Sequence, residues 1–283
     1  MTAIALVQKV QNLPPVSQTA LKLIGLLDRA SGDNREIVQV LKYDNVLTAK
    51  LLQACNSSCF ALEERVASVD QAVLMLGHQQ ILHIVMTLAF KSVMTVSSLT
   101  YTMEMNELWQ HSLVSAIAGE VVLEQAPELG AGTNAGFTAS LLHDIGKLVM
   151  ALALSPAELS EIRDRTERKQ IPGSQAEKEV VGVDHGEVGA ALLQSWRLPD
   201  NIVESVANHH RPVLKPRPQL SALVHVANGM AHHAKPPLGQ SIHDLRLAES
   251  VVSEFGIKDE TLDEMVLAVR ESFERVDTFM AMA

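Results

Sequence analysis

Leu141-Leu142-His143-Asp144-Ile145-Gly146-Lys147 sets an adjacent imidazole and carboxylate inside an apolar, helix-forming run. Burying a neutral imidazole beside a carboxylate among leucines and isoleucines is costly unless both groups are satisfied. A divalent metal ion satisfies them, since neutral imidazole and carboxylate are ordinary ligands of zinc, manganese and iron. The alternative is a helix whose His143 and Asp144 bond to each other and to neighbouring backbone. The company the pair keeps along the rest of the chain separates the two readings.

Outward from this pair the pattern is helical. No alternating β-branched run bounded by tight-turn dipeptides occurs. Ala20, Leu23, Ile24 and Leu27 fall at helical spacing after Leu13-Pro14-Pro15, and Asp33 or Asn34 can cap a helix through Ile37, Val40 and Leu41. Asp44-Asn45 precedes another through Leu47, Leu51 and Leu52, and Ser68 is a candidate N-cap for Val69, Ala72, Val73 and Leu76. A long apolar helix is expected over about residues 79–96. The polar stretch at 97–106 places a boundary near residue 105, dividing the chain into 1–105 and 106–283. Beyond it, Trp109, Leu113, Ile117 and Val121 form a helix that carries His111, and the glycine-rich residues 126–136 read as a loop. Leu198-Pro199-Asp200 opens a helix that ends near His209-His210. Lys235-Pro236-Pro237 is a break, and Thr261 with Glu264 forms a capping-box start for a tail helix. The fold class is all-α.

His111, His143, Asp144, His185, His209, His210 and Asn228 belong together in the second half. Five histidines and one carboxylate on four apolar helices can converge on a metal-lined cleft. Adjacent helical residues diverge by about 100 degrees, so neighbouring pairs can serve two ions or one ion plus a bridging water. The remaining histidines read differently. His78 and His83 flank Gln79-Gln80-Ile81-Leu82 with no acidic partner nearby and are expected to be structural or exposed. His232, His233 and His243 are expected on the surface. Trp109 and Trp196 are expected to pack near the site.

Composition narrows the function classes. With 47% hydrophobic and 20% charged residues, the 283-residue chain can bury a sizeable core as one large domain or two smaller ones. A net charge of −10 argues against a generic nucleic-acid binder, which needs clustered Lys and Arg. Arg163, Arg165, Arg168 and Lys169 interleave with Glu161, Asp164 and Glu167, as on a solvated, salt-bridged helix face. A helix-turn-helix drawn through residues 44–60 has no basic surface beyond Lys42 and Lys50. The two cysteines, Cys55 and Cys59, read as reduced thiols in a cytoplasmic protein. No secretory leader is evident, and the apolar run at 81–96 is interrupted by His83, Thr87, Lys91 and Ser92, so it reads as a core helix rather than a membrane span.

The order His … His-Asp … His … His-His resembles the helical HD superfamily of metal-dependent phosphohydrolases, and more closely its HDOD branch of bacterial signalling proteins. Leu13-Pro14-Pro15, residues 44–52, Ala54-Cys55-Asn56-Ser57 and Ser68 through Gly77 resemble the N-terminal half of that family. Residues 141–148, Asp184-His185-Gly186-Glu187-Val188-Gly189, Trp196-Arg197-Leu198-Pro199 and His209-His210-Arg211-Pro212 resemble the second half. The resemblance implies an N-terminal helical subdomain packed on an HD-type core. It implies one or two divalent ions (manganese, iron, zinc or magnesium) held by His143, Asp144, His111, His185, His209 and His210. The superfamily's terminal Asp is expected near residues 224–228, where this chain has Asn228, a neutral and weaker ligand. The Gly-Tyr-Pro element of relatives that cleave cyclic di-GMP is missing, since Arg211-Pro212-Val213 follows His209-His210.

Two functions follow from the resemblance. In the first the domain is a signalling or regulatory module that acts by binding a protein partner or a small phosphorylated or nucleotide ligand. In the second it is a phosphohydrolase, with Asp144 and Lys147 as catalytic residues and Lys147 contacting phosphate as a compact charge. The alternative for Lys147 is a surface lysine. The tail helix, with Met265, Val266, Val269 and Phe273 on one face, fits either its own core or a second copy in a homodimer.

Overall fold

Helices are the only regular structure among the described residues of this computed structural model, which are 1–10, 18–27, 34–57, 60, 65–94, 105–125, 135–212, 220–234, 251 and 259–280. The motif Leu13-Pro14-Pro15, Cys59, the junction at 97–104, the loop at 126–134, the break at 235–239 and His243 lie outside them.

The helices are α1 (Ala3–Lys9), α2 (Gln18–Leu27), α3 (Asn34–Lys42), α4 (Asn45–Cys55) and α5 (Val69–Met94). After these come α6 (Met105–Gln125), α7 (Gly136–Leu142), α8 (Ile145–Ala153), α9 (Pro156–Lys169) and α10 (Gly173–Val181). The last four are α11 (His185–Ser195), α12 (Asp200–Ala207), α13 (Leu220–Ala234) and α14 (Asp259–Met280). Local chemistry sets several starts. Asp44 accepts from the Leu47 amide at 2.9 Å, and Ser68 from that of Gln71 at 3.1 Å. Ser155 and Glu158 form a reciprocal capping box ahead of α9, with Pro156 in its first turn. Thr261, expected to start the tail helix, sits within its first turn, because α14 begins at Asp259.

α5 joins the two apolar segments on either side of Gly77, whose φ of 79° makes a kink that suits glycine. Its length and composition would let it cross a membrane, yet residues 81–90 are all buried inside this chain. They form part of a continuous hydrophobic core that also takes in Leu23, Leu51, Leu113, Leu148, Leu193, Leu223 and Val269. Each such side chain contributes about 1.5–3 kcal/mol on burial. α1 packs on α8 and α11, so the first helix of the chain braces its second half. α14 packs on α6 and α13 of its own chain. Arg270 fixes it there, donating to the carbonyls of Ala234 (3.1 Å) and His233 (2.9 Å) at the end of α13.

One crossing places the site. α8 and α11 meet at Gly146 and Gly189, and a Cβ on Gly146 would overlap the His185 carbonyl and lie 2.7 Å from the Gly189 amide nitrogen. Only glycine lets these two backbones touch.

Candidate metal centre

The sequence expectation put His143 and Asp144 inside one helix, diverging around it. They occupy instead the turn between α7 and α8, where Asp144 leaves helical geometry (φ −98°, ψ 7°). His209 and His210 likewise lie in the turn after α12. Away from regular helix, adjacent side chains need not diverge: His143 Nε2 is 3.5 Å from Asp144 Oδ2, and the His209 and His210 rings are 4.0 Å apart.

All six expected donors come together. Around Asp144 stand His111 Nε2 (3.7 Å from Oδ2), His143, His185 Nε2 (3.1 Å from Oδ1) and His209 Nε2 (3.8 Å from Oδ1). His210 completes the cluster, its Nε2 lying 2.8 Å from that of His185. His111, His143 and Asp144 each offer a donor atom within 4.8 Å of the others, as do His185, His209 and His210. All are buried except His210, which is half-buried at the rim.

The backbone orients these rings. His143 Nδ1–H donates to the Ser140 carbonyl and His209 Nδ1–H to that of Val206, both at 2.7 Å. A carbonyl can only accept, so the Nε2 of each ring carries a lone pair facing inward. His185 is oriented by a residue that the sequence reading missed. Glu177 on α10 is fully buried and accepts from His185 Nδ1 at 2.7 Å and from the His185 backbone amide, also at 2.7 Å. That amide is one of the orphan donors at the start of α11, and the Asp184–Glu187 capping box holds the same helix end. A carboxylate behind a histidine is the usual outer support of a metal-ligating imidazole. The signal in the sequence was an acid at 177 flanked by Ala176 and, one turn on, Val180 and Val181.

Charge in the cluster is divided unevenly. Burial pushes His111, His143, His209 and His210 below the ordinary histidine value, so they stand neutral. Burial opposes charge on His185 as well, but the Glu177 carboxylate and Asp144 outweigh it and push it up to about 10. Burial alone would raise Asp144; His143, Lys147 and His185 hold it well below the usual carboxylate range. Lys147 is no surface residue: it is buried and donates to Asp144 Oδ2 at 2.7 Å.

His143 Nε2 and His209 Nε2 have no hydrogen-bond partner among the described residues. Buried polar atoms left in this state are costly, and here they converge on one spot. This nitrogen-rich set with one carboxylate fits a divalent ion.

Two other histidine expectations change. His83 has an acidic partner, Glu120 of α6, at 2.9 Å, and stacks on Phe137 at 4.0 Å. His232 is buried rather than on the surface, with its ring 4.5 Å from that of His111. His233 is exposed, as expected. Asn228 is buried, and its Oδ1 accepts from His111 Nε2 at 3.0 Å. Trp109 packs against Phe90 of α5, and Trp196 lines a small apolar cavity with Leu21, Ile24, Met86 and Leu142.

Known proteins share this architecture. An HDOD domain protein of unknown function from Geobacter sulfurreducens superposes with a TM-score of 0.71 at 23% identity, over 95% of this chain and 96% of its own. A candidate phosphohydrolase from Shewanella amazonensis gives 0.66 at 25% identity, over 96% and 98%. A candidate signal transduction protein from Marinobacter aquaeolei gives 0.75 at 22% identity, over 95% of this chain and 59% of its own. In sequence, an uncharacterized protein of Treponema pallidum (strain Nichols) is 23% identical over 210 residues, covering 74% of this chain, which spans only 39% of that relative. The model of the HDOD domain matches residues 13–212, so the chain belongs to the HDOD domain family.

Proposed function

We propose that this chain is a regulatory HDOD module that works by binding, with a divalent ion held in the buried centre as a structural or sensory element. The carrying observation is the burial of the cluster together with its internal neutralisation. Asp144 already has Lys147 on Oδ2 and His185 beside Oδ1, and the His143 and His209 rings are fully enclosed. Asn228, where the superfamily's terminal acid is expected, is occupied with His111.

The chain's own groups would do the following. His111, His143 and Asp144 would hold one ion, and His185, His209 and His210 a second if one binds. A bound ion supplies Lewis acidity and a fixed positive charge. Glu177 keeps His185 turned inward and takes its Nδ1–H, while the Ser140 and Val206 carbonyls do the same for His143 and His209. His111 must pass its Nε2 proton to Nδ1, and His185 must give up its Nε2 proton, to become ligands, so loading releases a proton. Imidazole-rich donors favour zinc or iron over magnesium. The signal would arrive from a cytoplasmic protein partner or a small phosphorylated or nucleotide ligand.

The second reading is phosphohydrolysis. It is favoured by the Lys147 ammonium, a positive charge able to meet phosphate, and by the likeness to the Shewanella amazonensis candidate phosphohydrolase. In that reading Lys147 turns from Asp144 to substrate.

Elemental analysis of untagged protein, beside a His143→Ala/Asp144→Ala double variant, tests the centre. We expect one or two ions per chain, lost in the double variant, and no turnover of nucleotides, cyclic dinucleotides or generic phosphodiesters by the loaded protein. Turnover that vanishes in the double variant would establish the hydrolase reading. Absence of any ion after exposure to manganese, iron and zinc would leave the histidines as scaffold.

A further inference from the structure

His225 lies on α13 and reaches across to the turn that holds His209. Its Nδ1 is 2.7 Å from the His209 carbonyl oxygen, on a residue sixteen positions earlier in the chain. A carbonyl only accepts, so the proton stands on Nδ1 and His225 is the donor. His209 is fully buried and lies beyond the last residue of α12, outside the helical ladder that would otherwise serve its carbonyl. A buried carbonyl left alone would be costly, and His225 removes that cost. A second element closes on the same turn. A Cβ on Gly186 of α11 would lie 3.0 Å from the Val206 carbonyl and 3.3 Å from that of Ala207. The Val206 carbonyl is the one that orients the His209 ring. The ring is thus held locally, while the main chain that carries it is held from outside, by His225.

The helix that supplies this bond also serves the other half of the cluster. α13 packs on α12 and on α6, the helix of His111. Asn228, three residues on from His225 and so on the same side of α13, meets the His111 ring at 3.0 Å. Asp144 stands between the two halves, with Oδ2 3.7 Å from His111 Nε2 and Oδ1 3.8 Å from His209 Nε2. The geometry points to His225 as a positioning residue of the centre, whose bond to the His209 carbonyl fixes the His209–His210 turn relative to His111, His143 and Asp144. It belongs to neither donor group itself. This rests on the metal-holding reading above and deepens it. Because the Val206 carbonyl already sets the ring, the remaining freedom of His209 Nε2 is movement of the turn, and that is what His225 takes away.

Three variants separate the bond from the bulk of the side chain. His225→Asn keeps a donor on the atom that corresponds to Nδ1. His225→Leu has the shape of that asparagine without a donor, and His225→Phe keeps a ring without one. Far-UV circular dichroism establishes that each is folded. Metal-free protein labelled with 15N-histidine is examined first by NMR. The His209 ring signals are expected to shift or broaden in the leucine and phenylalanine variants, those of His143 to stay in place, and the asparagine variant to follow wild type. Cobalt(II) is then titrated alone and read by its visible absorption. The two variants without a donor are expected to bind roughly 10- to 100-fold more weakly, as on loss of other outer supports of ligating histidines, with an altered band. His225→Asn is expected to restore both. The assignment is overturned if a folded leucine or phenylalanine variant keeps wild-type affinity and spectrum, or if the asparagine variant is as weak as they are. Wild-type protein that takes up no cobalt overturns the metal reading, whereas unmoved His209 signals in metal-free protein overturn the positioning role, so the two failures are told apart.

Discussion

Lys147 Nζ donates to Asp144 Oδ2 across 2.7 Å, with 10% and 1% of the two side chains exposed. Breaking a buried pair of this kind by removing one partner costs about 3–5 kcal/mol, because the other charge is left uncompensated. Lys147→Met is therefore expected to lower the urea stability of metal-free protein by roughly 3 kcal/mol. Zinc at a hundred times its dissociation constant should return about 2.7 kcal/mol. An unchanged urea midpoint without metal would mean that the ion pair contributes nothing.

Glu177→Gln keeps the shape of the support behind His185 and removes its charge. The His185 value, held up at about 10, should fall towards the ordinary histidine range in an NMR titration. Zinc affinity is expected to weaken by about 10- to 100-fold, as for other outer supports of ligating histidines. A variant indistinguishable in both measurements would remove Glu177 from the site.

Six histidines stand below their ordinary value in the fold: His111, His143, His209, His210, His225 and His232. Below pH 6.5 the unfolded chain takes up protons that the native chain refuses, so stability falls as pH falls. For His232, pushed down by burial to about 3, the loss runs from 6.5 towards 3. His185 acts in the opposite sense: its stabilisation is complete below 6.5 and is lost as pH rises towards 10. At about 1.4 kcal/mol per group per pH unit, two such histidines alone would lower the melting temperature of metal-free protein by on the order of 5 °C between pH 6.5 and 5.5. Scanning calorimetry that shows equal or greater stability at the lower pH would contradict this.

Asn228→Asp restores a carboxylate next to His111. Metal-free protein should become less stable, since Asp144 and the new acid would share one buried site. Metal binding should tighten on the order of tenfold, with manganese and magnesium gaining most from the added charge. Isothermal titration with each ion decides it, and equal affinities in both proteins would place residue 228 away from the ion.

Gly146→Ala is expected to be among the most damaging single-methyl changes in the chain. Its Cβ would meet main-chain atoms of His185 and Gly189, which cannot turn aside as a side chain can. A cost of roughly 3 kcal/mol or more is expected, read as a loss of soluble protein or of urea stability.

The helices were legible because their starts carry local chemistry. Asp44, Ser68 and Pro199 mark them from side chains that act within one turn. The six candidate donors were legible because polar residues in apolar stretches are conspicuous. What escaped depends on distance in the sequence. Glu120 partners His83 from another helix, and no local pattern announces that pairing. His232 looked like a surface residue beside a proline-rich break, but α6 and α14 pack over its helix and enclose it. Lys147 looked free because a lysine is ordinarily solvated, and only the turn at Asp144 brings the carboxylate to it. Glu177 was missed because a single acid on an amphipathic helix is read by default as outward-facing.

The contact between Gly146 and His185 has a bearing on selectivity. Asp144 sits two residues before Gly146, and His185 is the residue whose carbonyl touches it, so main-chain atoms in contact set the separation of these two donors. Side chains can repack around a larger or smaller guest, but a peptide backbone pressed against another has no such slack. The aperture of the candidate centre is thus a steric gauge set by backbone contact, and retuning it would mean editing residues that offer no donor atom.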